Sequence, residues 1–320
     1  MNYPPKTWRK YQMSLTKTES DKLKKAAAIS SISLALGLCL AKGLAVFYTG
    51  SLAVLSSMVD SLSDIFASLV TFFAVKISVR PASITYRYGY GKVEALSALF
   101  QAGFIAISGI YILYDAVLRL SHPVALTQTD FGLAIMIISL VLTLVLVAFQ
   151  RWVAKKTNSQ AILADSMHYS VDIMTNSSII ISLIAIHFWQ IYWVDTAIAG
   201  LISVYLLYNA YDLSKDAISL LLDRELSDDI RENVRKIACS HPLHPAIHDL
   251  RTRDLGGTYM FELHLELDGN LDLTTAHRYG DEVEALILKA YPNSQIIIHL
   301  DPCGITEDRL DNNLVDSNRK

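Results

Sequence analysis

The chain has 320 residues, of which 52% are apolar and 18% charged, and its formal net charge is −3. That much apolar surface exceeds what a water-soluble protein of this length hides in its interior, which predicts a membrane protein. The slightly negative charge excludes a basic surface of the kind that binds nucleic acid. The three cysteines (Cys39, Cys239 and Cys303) are odd in number and far apart, which excludes a disulfide-stapled secreted domain.

Six apolar segments follow one another in the first two thirds of the chain. They occupy residues 26–48, 51–79, 93–120, 131–152, 159–189 and 191–213. Each can supply the helix of about 20 residues that crosses the hydrocarbon core of a bilayer. Exposed sheet edges cannot survive in lipid, so the pattern predicts a six-transmembrane-helix bundle. Residues 1–25 are polar and basic and are expected to form a cytoplasmic segment, not a signal peptide.

Lysine and arginine collect on one side of the predicted bundle. The N-terminal segment and the links after the second and fourth spans are basic, whereas the other links have almost no basic residues. The basic residues are Lys6, Arg9, Lys10, Lys17, Lys22, Lys24 and Lys25, then Arg80, Arg87 and Lys92, then Arg151, Lys155 and Lys156. The positive-inside rule therefore places both termini in the cytoplasm of a multi-pass inner (plasma) membrane protein.

Past residue 223 the sequence changes to a soluble pattern. An amphipathic helix (227–239), two strands (247–255 and 259–267), a second helix (273–290) and a third strand (295–300) are expected. This order predicts a small α+β cytoplasmic domain, a ferredoxin-like αββαβ sandwich, over 224–305. Residues 214–223 are expected to link it to the membrane domain (26–213), and residues 306–320 to form a disordered tail.

Two predicted spans carry ionisable pairs. Asp60 and Asp64 lie in the second, and His168 and Asp172 in the fifth. Each pair is spaced i, i+4, so its side chains emerge one turn apart on one helix face. An ionisable residue at mid-bilayer costs about 2.5–3.5 kcal/mol, and such residues usually have a functional reason. If the two faces meet, three carboxylates and one imidazole converge.

That ligand set suits one divalent cation. Zinc readily accepts tetrahedral coordination by nitrogen and oxygen. The empty site would hold protons on a carboxylate and on His168, and metal entry would expel them, which is the coupling an antiporter needs. The imidazole favours Zn²⁺ over manganese, with Fe²⁺ or Cd²⁺ as possible further substrates.

Two other charges in the spans are expected to have ordinary roles. Lys42 lies close enough to Tyr48 to extend its ammonium toward the outer interface. Asp165 is one turn before His168 and shares its face, so it either supports the site from behind or faces the cytoplasm.

Histidines mark the soluble part, where six of the nine lie between 241 and 299. His248, His264 and His299 are on predicted strands, His277 is on the following helix, and Asp301 is two residues after His299. An i, i+2 pair shares one face of a strand. These five residues are expected to form a cytoplasmic metal site in which one carboxylate bridges two zinc ions, with regulation as its role.

The chain resembles the cation diffusion facilitator family from about residue 26 to residue 303. The motifs that carry the resemblance are Asp60-x-x-x-Asp64, His168-x-x-x-Asp172, Gly89-Tyr90-Gly91-Lys92-Val93-Glu94, Leu221-Leu222-Asp223-Arg224, His248-Asp249-Leu250-Arg251-Thr252-Arg253 and His299-Leu300-Asp301-Pro302-Cys303. The resemblance implies a homodimeric metal/proton antiporter with a metallochaperone-like cytoplasmic domain. It implies a transport site at the four intramembrane ligands, a binuclear site at the cytoplasmic five, and a charge interlock between protomers made by Lys92 and Asp223.

The chain departs from the family pattern at two places. A pump of this family carries a further metal site, made of one aspartate and two histidines, in the loop after the second span. Here Ser83, Tyr86 and Tyr90 stand at those positions, and none is a good ligand at neutral pH. This loop site is therefore expected to be absent. Leu300 replaces a glutamine near the cytoplasmic cluster, which is expected to weaken the second metal there.

The sequence thus predicts proton-coupled efflux of divalent cations, not an enzyme. A metal-gated channel or membrane metal sensor is the alternative, in which the soluble domain alone binds ions. An intramembrane hydrolase built on paired aspartates is a second rival, but it gives no reason for His168 beside Asp172.

Overall fold

The computed structural model describes residues 16–49, 52–121, 130–189, 193–242, 246–304 and 309–313. The chain divides into two compact units, Met1–Leu221 and Leu222–Lys320. The described part of the first unit contains six long helices: α1 (Lys17–Thr49), α2 (Leu52–Ser78), α3 (Val93–Ser121), α4 (Asp130–Thr157), α5 (Gln160–Trp189) and α6 (Trp193–Leu221). The second contains α7 (Asp228–Cys239), β1 (Ala246–Asp254), β2 (Tyr259–Leu267), α8 (Leu273–Ala290), β3 (Ser294–Pro302) and α9 (Leu310–Asn313).

The helices of the first unit have the length and the apolar composition of membrane-spanning helices. Within the described ranges, four stretches are long and apolar enough to span one: Lys17–Leu44, Ser61–Ser78, Val93–Leu118 and Ile137–Thr157. α5 and α6 have 30 and 29 residues. At about 1.5 Å per residue both exceed the roughly 30 Å of the hydrocarbon core. The helical membrane domain expected from the sequence is confirmed.

Small residues line the contacts between these helices. α3, α5 and α6 share a buried cluster dominated by alanine: Ala95, Ala98, Ala102, Ile105, Ala164, Val171, Leu206, Ala210, Leu213 and Ala217. At Gly109 of α3, a Cβ atom would meet the Leu207 side chain of α6 at 3.2 Å. Lipid offers no hydrophobic drive between helices, so close backbone approach at small residues is how membrane helices gain packing energy.

Three element boundaries differ from the sequence prediction. α1 begins at Lys17, inside the predicted N-terminal segment, because Thr16 and Glu19 form a reciprocal capping box: the Thr16 amide donates to Glu19 Oε2 (2.9 Å) and the Glu19 amide to Thr16 Oγ1 (3.3 Å). α6 continues through 214–221, where a linker was expected. In the predicted tail, α9 forms one helical turn, and Arg309 before it pairs with Glu266 at 2.5 Å, so residues 309–313 are attached to the domain.

The second unit is the predicted αββαβ sandwich, and the fold is confirmed. Its sheet has the order β1-β2-β3, with β1 and β2 antiparallel and β2 and β3 parallel. The alternating residues Phe261, Leu263, Leu265 and Leu267 of β2 are buried with residues of α7 and α8 such as Val234 and Ile287. The intervening residues of each strand therefore lie on the sheet face opposite the helices.

Candidate metal centres

The first candidate centre lies between α2 and α5. One ligand atom each from Asp64, His168 and Asp172 lies within 4.8 Å of the others. His168 Nε2 is 3.4 Å from Asp64 Oδ1, and the two side chains are 15% and 13% exposed. Two ligands of one tetrahedral zinc, bonded at about 2.0–2.2 Å, lie about 3.3–3.6 Å apart. Nε2 also has no hydrogen-bond partner among the described residues, so this lone pair is available to an ion.

Asp60 is the fourth predicted ligand. Its backbone lies in α2, four residues before Asp64, and helix geometry puts both on one face. Its side chain is outside the described residues, so its part in the centre stays a prediction.

Asp165 is fully buried one turn before His168. Its Oδ2 accepts hydrogen bonds from Ser31 Oγ of α1 (2.6 Å) and Gln150 Nε2 of α4 (2.5 Å). Ser31 is bonded in turn to Ser68 of α2, and Ser68 to the Tyr169 hydroxyl. Of the two alternatives the sequence left open, the structure supports the first: Asp165 does not face the cytoplasm but ties the helices around the centre together.

Lys42 does not have the surroundings expected from the sequence. Its ammonium donates to Ser61 Oγ at 2.7 Å, and Ser61 is a fully buried residue of α2. The packing of α1 against α2 supplies a polar acceptor inside the bundle, so the side chain has no need to extend toward the outer interface. Ser61 follows Asp60 and is three residues before Asp64, which brings a cation to the region of the candidate centre. Sequence reasoning missed this contact because no local pattern pairs residues 42 and 61.

The second candidate centre is a row of histidines across the sheet. His248 is paired with His264, and His264 with His299, on three adjacent strands. The ring centroids are 4.9 Å and 4.7 Å apart. All three lie on the face opposite the helices. Strand register, which the sequence does not specify, therefore turns three separate histidines into one cluster.

A β-bulge positions His248. Between His248 and Arg251 of β1 the register gains one residue relative to β2, and Asp249 has a φ of 50°. A bulge lets two residues oppose one. Without it, His248 and Arg251, three residues apart, would point to opposite faces. With it, both lie on the histidine face, where Arg251 pairs with Glu262 at 3.0 Å.

Asp301 joins this row through both carboxylate oxygens. Oδ2 is 2.7 Å from His264 Nδ1 and 3.5 Å from His248 Nε2, while Oδ1 is 3.1 Å from His299 Nε2. Ligand atoms of His248, His264 and Asp301 fall within 4.8 Å of one another. A carboxylate that faces imidazoles with each of its oxygens has the arrangement needed to bridge two metal ions.

His277 is not brought to this row within the chain. It lies on α8, its side chain is 73% exposed, and it is 3.6 Å from Asp281 one turn on. α8 packs on the helix-covered side of the sheet, whereas the row is on the other side. Two acidic residues that sequence reasoning missed do approach the row: Glu266 lies 3.6 Å from His248 Nε2 and Asp249 3.6 Å from its Nδ1. For Glu266, its position two residues after His264 was the available signal.

Comparisons with known proteins identify the family of the chain. The family described as cation efflux transmembrane domain matches residues 28–222, and that described as cation efflux protein, cytoplasmic domain, matches residues 226–303. The cation-efflux pump FieF of Salmonella paratyphi A is 40% identical over 279 residues, which cover 87% of this chain and 93% of the pump. FieF of Salmonella arizonae gives the same values. The chain belongs to the cation diffusion facilitator family. It is a metal-cation efflux transporter of the membrane and not an enzyme.

Two solved structures of CzrB, one of them the zinc form, are also similar in sequence. They are 30% and 32% identical, cover 27% and 25% of this chain and 99% of their own, and have TM-scores of 0.24 and 0.23.

The loop after α2 brings together the three residues that stand where a pump of this family has a further metal site. Ser83 Oγ is 3.0 Å from the Tyr90 hydroxyl and accepts a hydrogen bond from the Tyr86 amide at 3.0 Å. The rings of Tyr86 and Tyr90 are 4.9 Å apart. The hydroxyls of Ser83 and Tyr90 are thus bonded to each other, and a serine with two tyrosines is a poor ligand set for a divalent metal. That no metal binds in this loop stays a prediction.

The two residues of the expected interlock are in different units. Lys92 is half-buried in the turn that precedes α3. Asp223 has a φ of 56° and lies 3.6 Å from Arg253 Nη1. Their mutual pairing between protomers stays a prediction.

Glu94, at the end of the motif that contains Lys92, has a structural role that the sequence did not reveal. Its Oε1 accepts hydrogen bonds from Lys24 Nζ of α1 (2.8 Å) and Ser78 Oγ of α2 (2.9 Å), and its Oε2 accepts from Ser159 at the start of α5. Lys24, Glu94 and Ser159 are buried and Ser78 is half-buried, so one largely buried carboxylate joins α1, α2, α3 and α5 at one end of the bundle.

Proposed function

We propose that the chain exports Zn²⁺ from the cytoplasm in exchange for protons, as a homodimer in the inner membrane with both termini in the cytoplasm. Fe²⁺ and Cd²⁺ are further possible substrates. The observation that carries this proposal is the convergence of Asp64, His168 and Asp172 from two membrane helices. Carboxylates and an imidazole inside a bilayer are expensive unless they bind an ion, and this donor set suits zinc.

The ligand types support a divalent transition metal over a harder ion. A centre for manganese or magnesium would use oxygen alone, whereas imidazole nitrogen favours zinc, iron and related metals. With Asp60, Asp64 and Asp172 as ligands, three negative charges would offset the ion and make the loaded centre easier to bury than the empty one.

The distance between His168 and Asp64 supports the proton coupling that we propose. At 3.4 Å, a protonated imidazole and the Asp64 carboxylate attract each other, which would stabilise the metal-free centre in its protonated form. The same Nε2 must lose its proton before it can donate a lone pair to a metal. Metal entry from the cytoplasm therefore releases protons, and proton entry from the opposite side displaces the metal.

The cytoplasmic row supports a second, resident metal centre. His248, His264, His299 and Asp301 would hold one or two ions, with the Asp301 carboxylate between them; the place of His277 in this set is part of the proposal. The bound ions would supply only fixed positive charge and cross-links between strands. The chain's own contribution is the strand register and the bulge, which align the four ligands.

Transport measured in proteoliposomes tests the proposal. Zinc uptake by the reconstituted protein should saturate with metal concentration and rise when a pH gradient is imposed. Asp64→Asn should abolish it. Asp115→Asn, which changes a half-buried aspartate of α3 outside the candidate centre, serves as the matched control and should retain it. Flux that does not saturate and ignores the pH gradient would instead identify a metal-gated channel. Transport that persists in Asp64→Asn would refute the centre itself.

A further inference from the structure

A lysine lies close to the proposed transport centre, inside the first unit. Lys42 Nζ is 2.7 Å from Ser61 Oγ, and Ser61 has no exposed surface. Ser61 and Asp64 are three residues apart on α2, so their Cβ atoms are about 5–6 Å apart on the same helix face. The ammonium is therefore held by α2 at about one helical turn from a proposed ligand.

The sum of the charges around the centre indicates a role for the Lys42 ammonium. With Asp60, Asp64 and Asp172 ionised and His168 neutral, the four ligands sum to −3. A divalent ion would leave that set with a surplus of one negative charge in a medium of low dielectric constant. The Lys42 ammonium brings the sum to −2, which one divalent ion balances. Lys42 reaches this position from α1, which contributes none of the proposed ligands.

We infer that Lys42 is a built-in counter-cation of the transport centre, which lowers the affinity for the divalent ion so that the ion can be released. This inference rests on the proposed function, because it assigns the same centre to transport. The lysine does not bind the metal. It repels the metal from a fixed position, so the free energy of the loaded centre rises relative to that of the empty one.

The size of the effect can be bounded. For a doubly charged ion about 8 Å from the ammonium, Coulomb's law with an effective dielectric constant of about 20 gives a repulsion equivalent to roughly a thousandfold in Kd. Reorganisation of nearby groups and water entry reduce this value. We expect removal of the charge to tighten metal binding by at least about tenfold and to slow turnover, because the ion leaves more slowly.

The sign of the change separates this role from a structural one. A lysine that only holds α1 against α2 would, when removed, distort the centre and weaken metal binding. A counter-cation would, when removed, strengthen it. Lys42→Met removes the charge and keeps much of the volume, and Lys42→Arg keeps the charge. Lys76→Met changes an exposed lysine of α2, which lies over the Phe72 ring, and serves as the matched control.

The experiment is calorimetric titration of the full-length protein with Zn²⁺ and with Cd²⁺, in a His264→Ala background that removes the cytoplasmic row. Lys42→Met should lower Kd at least about tenfold and reduce the transport rate at saturating metal, whereas Lys42→Arg and Lys76→Met should leave Kd within about twofold. Unchanged or weaker binding in Lys42→Met would overturn the inference. Titration of His168→Ala distinguishes failure of the proposed transport centre from failure of the proposed role of Lys42. If His168→Ala binds the metal with full affinity, the proposed centre is wrong. If His168→Ala loses affinity but Lys42→Met does not bind the metal more tightly, only the role of Lys42 is wrong.

Discussion

The buried ion pair between Lys24 and Glu94 predicts a large and asymmetric effect of mutation. The pair is 2.8 Å long, and its side chains are 9% and 5% exposed. Removal of one partner from a buried pair leaves an uncompensated charge and costs about 3–5 kcal/mol, whereas replacement of both by apolar residues of similar volume is often neutral. Lys24→Met and Glu94→Leu should therefore each destabilise the membrane unit strongly, and the double variant should recover much of the loss.

Thermal unfolding in detergent, followed by size-exclusion chromatography with fluorescence detection, measures this. For a unit of about 220 residues, each kcal/mol shifts the Tm by roughly 2–4 °C, so each single variant should lose about 6–20 °C. Lys76→Met, at the exposed lysine of α2, is the control and should stay within about 0.5 kcal/mol of the parent. Single variants as stable as this control, or a double variant less stable than either single one, would refute the view that Glu94 joins four helices through a buried charge.

Two further outcomes concern the cytoplasmic unit. The hydroxyl and the backbone amide of Thr275 donate to Asp272 and hold the pKa of this N-cap carboxyl of α8 below its usual range. The cap therefore stabilises the domain fully above the ordinary pKa and loses this effect as the pH falls through the lowered native value. Asp272→Ala should lower the Tm at neutral pH, and the deficit should shrink on acidification; circular dichroism measures both, and a deficit that is constant with pH would contradict the linkage. Asp301→Asn should reduce the zinc bound per chain at equilibrium by two ions if this carboxylate bridges them, as measured by elemental analysis, while an unchanged ratio would disprove the bridge. His277→Ala should then show whether this exposed histidine contributes a ligand.

The spacing of apolar residues in the sequence predicted most of the helices and strands. The apolar segments are long enough to identify the membrane helices without knowledge of their neighbours. The bilayer requires a minimum length of each segment, and a helix satisfies all of its backbone hydrogen bonds internally. The i, i+4 spacing of His168 and Asp172 likewise identified a shared face, since helix geometry alone determines it. The alternation in β2 located the sheet for the same reason.

Helix ends and long-range partners were harder to predict. The start of α1 depends on a capping box at Thr16 and Glu19, a local signal that was present but hidden by the basic composition around it. The buried surroundings of Lys42 and Glu94 depend on which helix packs beside them. No pattern in the sequence specifies that Ser61 or Lys24 will be the partner.

Composition and spacing alone thus indicated a membrane protein with candidate ligands on two helices and a histidine-rich sandwich, because these features repeat with the periods of the helix and the strand. The family itself came from the resemblance of the motifs. The tertiary structure alone decided which of those ligands meet. It set the strand register that aligns three histidines, turned α8 and His277 to the other side of the sheet, and brought a lysine of α1 to α2. Such contacts join residues far apart in the chain, and their free energy comes from packing that no local segment contains.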